Sequence, residues 1–141
     1  MRRTSSPHIV TAAKQIQTRR WWDEKRSEYE LFTSELVIEE ASQGDASLAD
    51  ERLIHLQDMP LLAINAEVEA IAEALVGRSA LPQKALVDAL HISTAAYHGA
   101  DFLLTWNCTH IANARMRPRI ARVLAELDCL VPVICTPEEL L

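Results

Sequence analysis

Apolar positions recur along the chain in two rhythms, and short apolar runs alternate with longer stretches of helical spacing. Residues 8 to 28 read as a helix, with Ile9, Ala12, Ala13, Ile16, Trp21 and Trp22 as packing positions. Residues 30 to 34, ELFTS, read as a short strand, and residues 35 to 43 return to helix, with Gly44 as a natural stop. A further amphipathic helix is expected over 46 to 57. Pro60 precedes an apolar strand, LLAI, at 61 to 64, and Asn65 is placed to cap the helix AEVEAIAEALVGRS. Pro82 punctuates before a helix over about 84 to 98, Gly99 ends it, and FLLTW at 102 to 106 reads as a buried strand. A short helix is expected at 108 to 113 and a longer one at 116 to 128. A last strand follows at 132 to 134, and Thr136-Pro137-Glu138 opens a final helical turn.

Short apolar strands alternating with helices imply an α/β domain with a mainly parallel sheet, occupying the whole chain, 1 to 141, as one unit. In such sheets functional groups collect at the carboxyl ends of the strands. Two polar residues interrupt the apolar pattern in "ALVDALHISTAAYHGADFLLTWN" (85 to 107), and both are near element ends. Asp88 is near the start of a helix whose neighbouring positions, Ala85, His91 and Ile92, are mostly small or apolar. Asn107 stands where the next strand stops.

Composition narrows the picture. Of 141 residues, 49% are hydrophobic, enough for a sizeable core, and only three are glycine, which points to a helix-rich soluble domain. No apolar run approaches the roughly 20 residues needed to span a bilayer. MRRTSSPHIV lacks the apolar core of a secretory signal, so a cytoplasmic location with no membrane partner is expected. Cys108, Cys129 and Cys135 are odd in number and form no CxxC pair, which argues against a disulfide framework. Cys108-Thr109-His110 would be half a zinc site, but no second half is evident. The net charge of −6 excludes a protein that coats nucleic acid through bulk charge, though not one that touches RNA through local basic patches.

Candidate chemistry rests on a few side chains. Asp88 needs a cation or a metal if it is buried, because an unpaired buried charge is costly. Otherwise it is a carboxylate at a helix start, favoured by the dipole. Glu39 and Glu40 are adjacent, so on a helix one can face a cleft while the other faces water. Asn107 is able to ligate a metal or orient water through its amide, and equally to cap a helix beginning at Cys108. His110 and Asn113 follow in the same connection. His91 and His98 read as partly buried structural histidines. Arg19, Arg20, Lys25 and Arg26 surround the tryptophan pair. Arg115, Arg117, Arg119 and Arg122 fall in "NARMRPRIAR", after Asn107, where they are placed either to meet phosphates or to form a solvated face.

The ordered set "TSELVIEEASQG", "ALVDALHISTAAYHGADFLLTWN" and "PVICTPEEL" resembles the PIN-domain family, in particular its VapC-like toxin branch, over about residues 8 to 141. The resemblance implies a three-layer α/β/α fold around a mainly parallel sheet. It also implies a Mg²⁺- or Mn²⁺-dependent ribonuclease, probable toxin of a toxin–antitoxin pair, with RNA as substrate and a small antitoxin as partner. By the same resemblance Glu40 (Glu39 as fallback), Asp88 and Asn107 hold the metal and Thr105 supports them. Arg115, Arg117 and Arg119 contact substrate. In one respect the chain departs from the family, whose members begin with a central strand carrying an acid: no such strand is evident, and RRTSSPHIV resembles the connection that normally comes after it. A sheet missing that member would expose two unpaired edges, which a partner chain, a second copy included, would fill. The competing expectation is a catalytically inactive or truncated PIN-like protein, serving as an interaction module.

Overall fold

The computed structural model describes residues 8–11, by backbone alone, and 28–43, 57, 59–105, 115–135 and 139. Five strands run in the order β3-β2-β1-β4-β5, and every pairing is parallel. They are β1 (His8–Thr11), β2 (Glu30–Ser34), β3 (Leu61–Leu62), β4 (Phe102–Leu104) and β5 (Val133–Cys135). The described helices are α1 (Glu35–Ala41), α2 (Ala66–Gly77), α3 (Leu86–Tyr97) and α4 (Arg117–Glu126). This is the α/β fold with a parallel sheet expected from the alternation of elements.

The first element corrects the sequence reading. His8–Thr11 is a strand, not the start of a helix, and it is the central strand of the sheet. Val10 lies opposite both Phe32 of β2 and Leu103 of β4. The unpaired gap that called for a partner chain is therefore not found among the described residues, since β1 fills the central position, although it carries none of the acid expected of the family's first strand. The physical reason is the β-branched run Ile9-Val10-Thr11, which favours extended backbone. Two parallel neighbours then satisfy its N–H and C=O groups on both sides. On the flanks of β1, the rings of Tyr29 and Phe102 meet edge to face at 6.4 Å.

The other described elements form where local signals place them. Ser34 ends β2 and caps α1, accepting from Val37 N at 3.3 Å. Asn65 caps α2, its Oδ1 accepting from Val68 N at 2.9 Å. A 3-10 turn at Gln83–Ala85 leads into α3. Gly99, at φ +72°, then reverses the chain into β4. Pro118 sits in the first turn of α4, where its missing N–H costs nothing. Two strands are shorter than the apolar runs that mark them: 61 to 64 narrows to Leu61–Leu62, and 102 to 106 to Phe102–Leu104. The expected elements at 46 to 57, 108 to 113 and 136 to 138 lie largely or wholly outside the described residues.

The core joins α2, α3 and α4 to the sheet through Leu75, Ile92, Leu103, Ile120, Leu124 and Ile134. Parallel crossovers are right-handed, so the β2–β3 connection, which begins with α1, belongs on the opposite face from the helices between β3 and β5. The sheet then lies between two helical layers. Among the described residues, no helix is long and apolar enough to cross a membrane.

Candidate functional site

All five strands point the same way, so their carboxyl ends share one edge. α1 leaves β2 at that edge, and Glu40 stands near the end of α1. α3 enters β4 through the turn at Gly99, which puts its last turn beside the amino end of that strand. A helix of twelve residues is about 18 Å long, so its first turn, with Asp88, reaches back toward the carboxyl edge.

One contact joins these two elements. Nε2 of His91 donates to Oε1 of Glu40 at 2.7 Å, across 51 residues of sequence. The imidazole is 3% exposed and the glutamate side chain 28%. A buried polar ring needs an acceptor, and the Glu40 carboxylate supplies it. Asp88 is three residues before His91 and therefore on the same side of α3, with Cβ atoms about 5–6 Å apart. Glu40 therefore meets α3 at His91, one turn beyond Asp88. Glu39 is exposed, and its backbone carbonyl accepts from the Ser42 hydroxyl at 2.8 Å. Of the adjacent pair, Glu40 is the one that faces α3.

Asp88 is half-buried, within the first turn of α3 but three residues beyond the N-cap, Ala85. The carboxylate therefore complements the helix dipole. Thr105 directly follows β4 and is 1% exposed, its backbone N–H donating to Cys135 O at 2.9 Å. Asn107, Cys108, His110 and Asn113 lie outside the described residues, as do Arg19, Arg20, Lys25 and Arg26. β1 itself, His-Ile-Val-Thr, carries no carboxylate. Among the described residues no group of three or more His, Cys, Asp or Glu side chains is gathered to hold a metal ion.

The arginines do not form one surface. Arg115, Arg117 and Arg119 are all exposed. Arg117 borders an apolar cleft of about 220 Å³ with Ile92, Ile120 and Leu124. Arg119 borders a second cleft of about 350 Å³, with Arg78, Arg122 and Glu126. Arg78 is already paired with Glu126 at 2.7 Å. Of the two histidines read as structural, His98 is half-buried, and its Nε2 donates to Ala63 O at 2.8 Å. The sequence reading of His91 gave its burial but missed its partner. The available signal was a histidine one turn from Asp88 on an otherwise small, apolar helix.

A family model described as PIN domain matches residues 9–107, well over half of the chain. No curated protein and no solved structure matches it.

Proposed function

The chain belongs to the PIN domain family, a nuclease-type family that generally uses divalent metals, and from that premise we propose that it is a Mg²⁺- or Mn²⁺-dependent ribonuclease, the toxin of a toxin–antitoxin pair. The observation that carries this reading is the 2.7 Å contact between His91 and Glu40, which brings a carboxylate of α1 to the turn of α3 that follows Asp88. The donor types fit the ion. Mg²⁺ takes oxygen ligands and is usually bound through one or two carboxylates, with waters and substrate phosphate completing the shell. Glu40 and Asp88 are the two carboxylates, and Asn107 adds an amide oxygen.

A bound ion of this kind lowers the pKa of a coordinated water and offsets charge on the phosphoryl oxygens. The protein's own groups do the rest. Glu40 and Asp88 hold their oxygens at the carboxyl edge of the sheet, and Thr105 supports the end of β4. Arg115, Arg117 and Arg119 meet backbone phosphates through charge-assisted hydrogen bonds. With a net charge of −6 the chain binds RNA through these local groups, so affinity falls steeply with salt. This reading includes a small antitoxin protein as partner and the cytoplasm as the place of action. It no longer needs a second copy to complete the sheet, and light scattering reports whether the chain self-associates.

One observation favours a second reading, a PIN domain kept as an interaction module without catalysis. β1 contributes no carboxylate, and Asn107 is neutral, so the acidic set is small. Calorimetric titration of Mn²⁺ into the chain and into Asp88→Ala, beside cleavage of a single-stranded RNA with and without EDTA, separates the two. Metal uptake lost in the variant, with EDTA-sensitive cleavage, supports the nuclease. Absence of uptake and cleavage in both proteins leaves the interaction module.

A further inference from the structure

We infer that His91 is a positioning residue: it fixes one oxygen of Glu40 so that the other is presented as a ligand for a divalent cation. This rests on reading Glu40 and Asp88 as metal ligands.

Three features of the contact lead to this. The first is direction. A carboxylate oxygen only accepts, so Nε2 of His91 carries the hydrogen, and the 2.7 Å separation falls in the short range of charge-assisted bonds. The second is the difference in freedom between the partners. His91 is 3% exposed and lies in the middle of α3, within a run of buried residues from His91 to Ala96. Glu40 is in the last turn of the seven-residue α1, 28% exposed, on a side chain with three rotatable bonds. The rigid partner therefore sets the orientation of the mobile one. The third is that the bond uses Oε1 alone. A carboxylate that accepts a hydrogen bond on one oxygen keeps the other for a cation, and such supporting bonds orient metal ligands and raise their affinity.

Sequence distance strengthens the point. Glu40 and His91 are 51 residues apart, on elements that the β2–β3 connection and α2 separate. A buried imidazole aimed at a half-exposed glutamate one turn from Asp88 is suited to hold that glutamate in place.

The test compares Mn²⁺ binding by calorimetry, with Mn²⁺ electron paramagnetic resonance as a second readout, in the parent chain, Asp88→Ala, His91→Leu, His91→Gln and His91→Asn. Circular dichroism establishes that each is folded. Leucine fills the space without a donor, glutamine keeps an N–H that reaches Glu40, and asparagine keeps the polarity but is too short. Loss of a supporting bond weakens metal affinity about 10–100-fold, so that loss is expected in His91→Leu and His91→Asn, with most of it recovered in His91→Gln. If His91→Leu does not fold, the glutamine–asparagine comparison decides alone. Leucine or asparagine variants that bind Mn²⁺ within about a factor of two of the parent overturn the inference while leaving the metal site standing. A parent chain that binds no Mn²⁺, like Asp88→Ala, overturns the metal reading and this inference with it.

Discussion

Replacing Glu40 by alanine tests the contact itself, apart from any metal. The perturbation leaves Nε2 of His91, on a side chain 3% exposed, without its carboxylate acceptor. A buried donor left unsatisfied costs about 1–3 kcal/mol. Two effects reduce that figure. The Glu40 side chain is 28% exposed, so the Coulomb part of the pair is screened and adds only tenths of a kcal/mol. Alanine also propagates a helix slightly better than glutamate, again by tenths of a kcal/mol. The net expectation is a loss of about 1–2 kcal/mol, or roughly 3–6 °C in melting temperature for a chain of this length. Glutamine in the same place keeps an acceptor oxygen and loses only the charge assistance, so Glu40→Gln is expected to cost about 0.5 kcal/mol. Glu39→Ala, at the exposed neighbour, serves as the reference and stays within about 0.5 kcal/mol of the parent.

The assay is urea unfolding in EDTA, reading the midpoint at constant slope, because a changed slope would report a changed denatured state instead. The order of loss should be Glu40→Ala, then Glu40→Gln, then Glu39→Ala. The reasoning is refuted if Glu40→Ala and Glu39→Ala melt within about 0.3 kcal/mol of each other. His91 would then have found another acceptor, and the 2.7 Å contact would contribute nothing to the fold.

Four further outcomes are expected. Gly99→Ala should cost about 1–2 kcal/mol, since φ is +72° and the new Cβ would meet only Leu130 Cδ1 at 3.9 Å, so strain rather than collision is the cause. Gly77→Ala, with nothing within 4 Å and no positive φ, should be neutral or slightly stabilising; paired urea melts compare the two. Ser93→Ala should stabilise by about 1 kcal/mol in a thermal melt, because the buried Ser93 Oγ has no partner among the described residues and alanine suits a helix better. Burial, and behind it the Asp128 carboxylate, push the Cys129 thiol above its ordinary value, so less thiolate is present at a given pH. Alkylation of Cys129 at pH 8, followed by mass spectrometry, should be slower than that of a cysteine peptide and faster in Asp128→Asn.

Elements with local punctuation were legible. Asn65 at the start of α2, through its side-chain oxygen, and Gly99 at the end of α3, through its backbone, each act locally, and the helices they bound follow the apolar spacing. β1 was not legible for a physical reason. Ile9, Ala12, Ala13 and Ile16 satisfy a helical spacing, and a run of four residues cannot be told from a helix by periodicity. What decides for a strand is that β2 and β4 flank it on either side, which is information held elsewhere in the chain. The candidate site divides the same way. Asp88 stands out because it interrupts an apolar pattern, whereas spacing leaves Glu39 and Glu40 alike; the resemblance prefers Glu40, and the contact with His91 is what sets it apart physically.

The corrected first strand changes how the site must be understood. A central strand carrying an acid would fix that ligand through backbone hydrogen bonds on both sides, with little freedom left to lose. Here β1 occupies the central position without a carboxylate, and the two carboxylates of the proposed site belong to helices, Glu40 on α1 and Asp88 on α3. Glu40 lies near the end of a seven-residue helix, the least constrained of these positions. A ligand of that kind binds a cation well only if something else removes its rotational freedom beforehand. His91 is the group in contact with it that is rigid enough to do so. In the proposed site, then, the small number of carboxylates and the buried histidine on α3 belong to one argument: the fewer ligands a site has, the more its affinity depends on each being held in place.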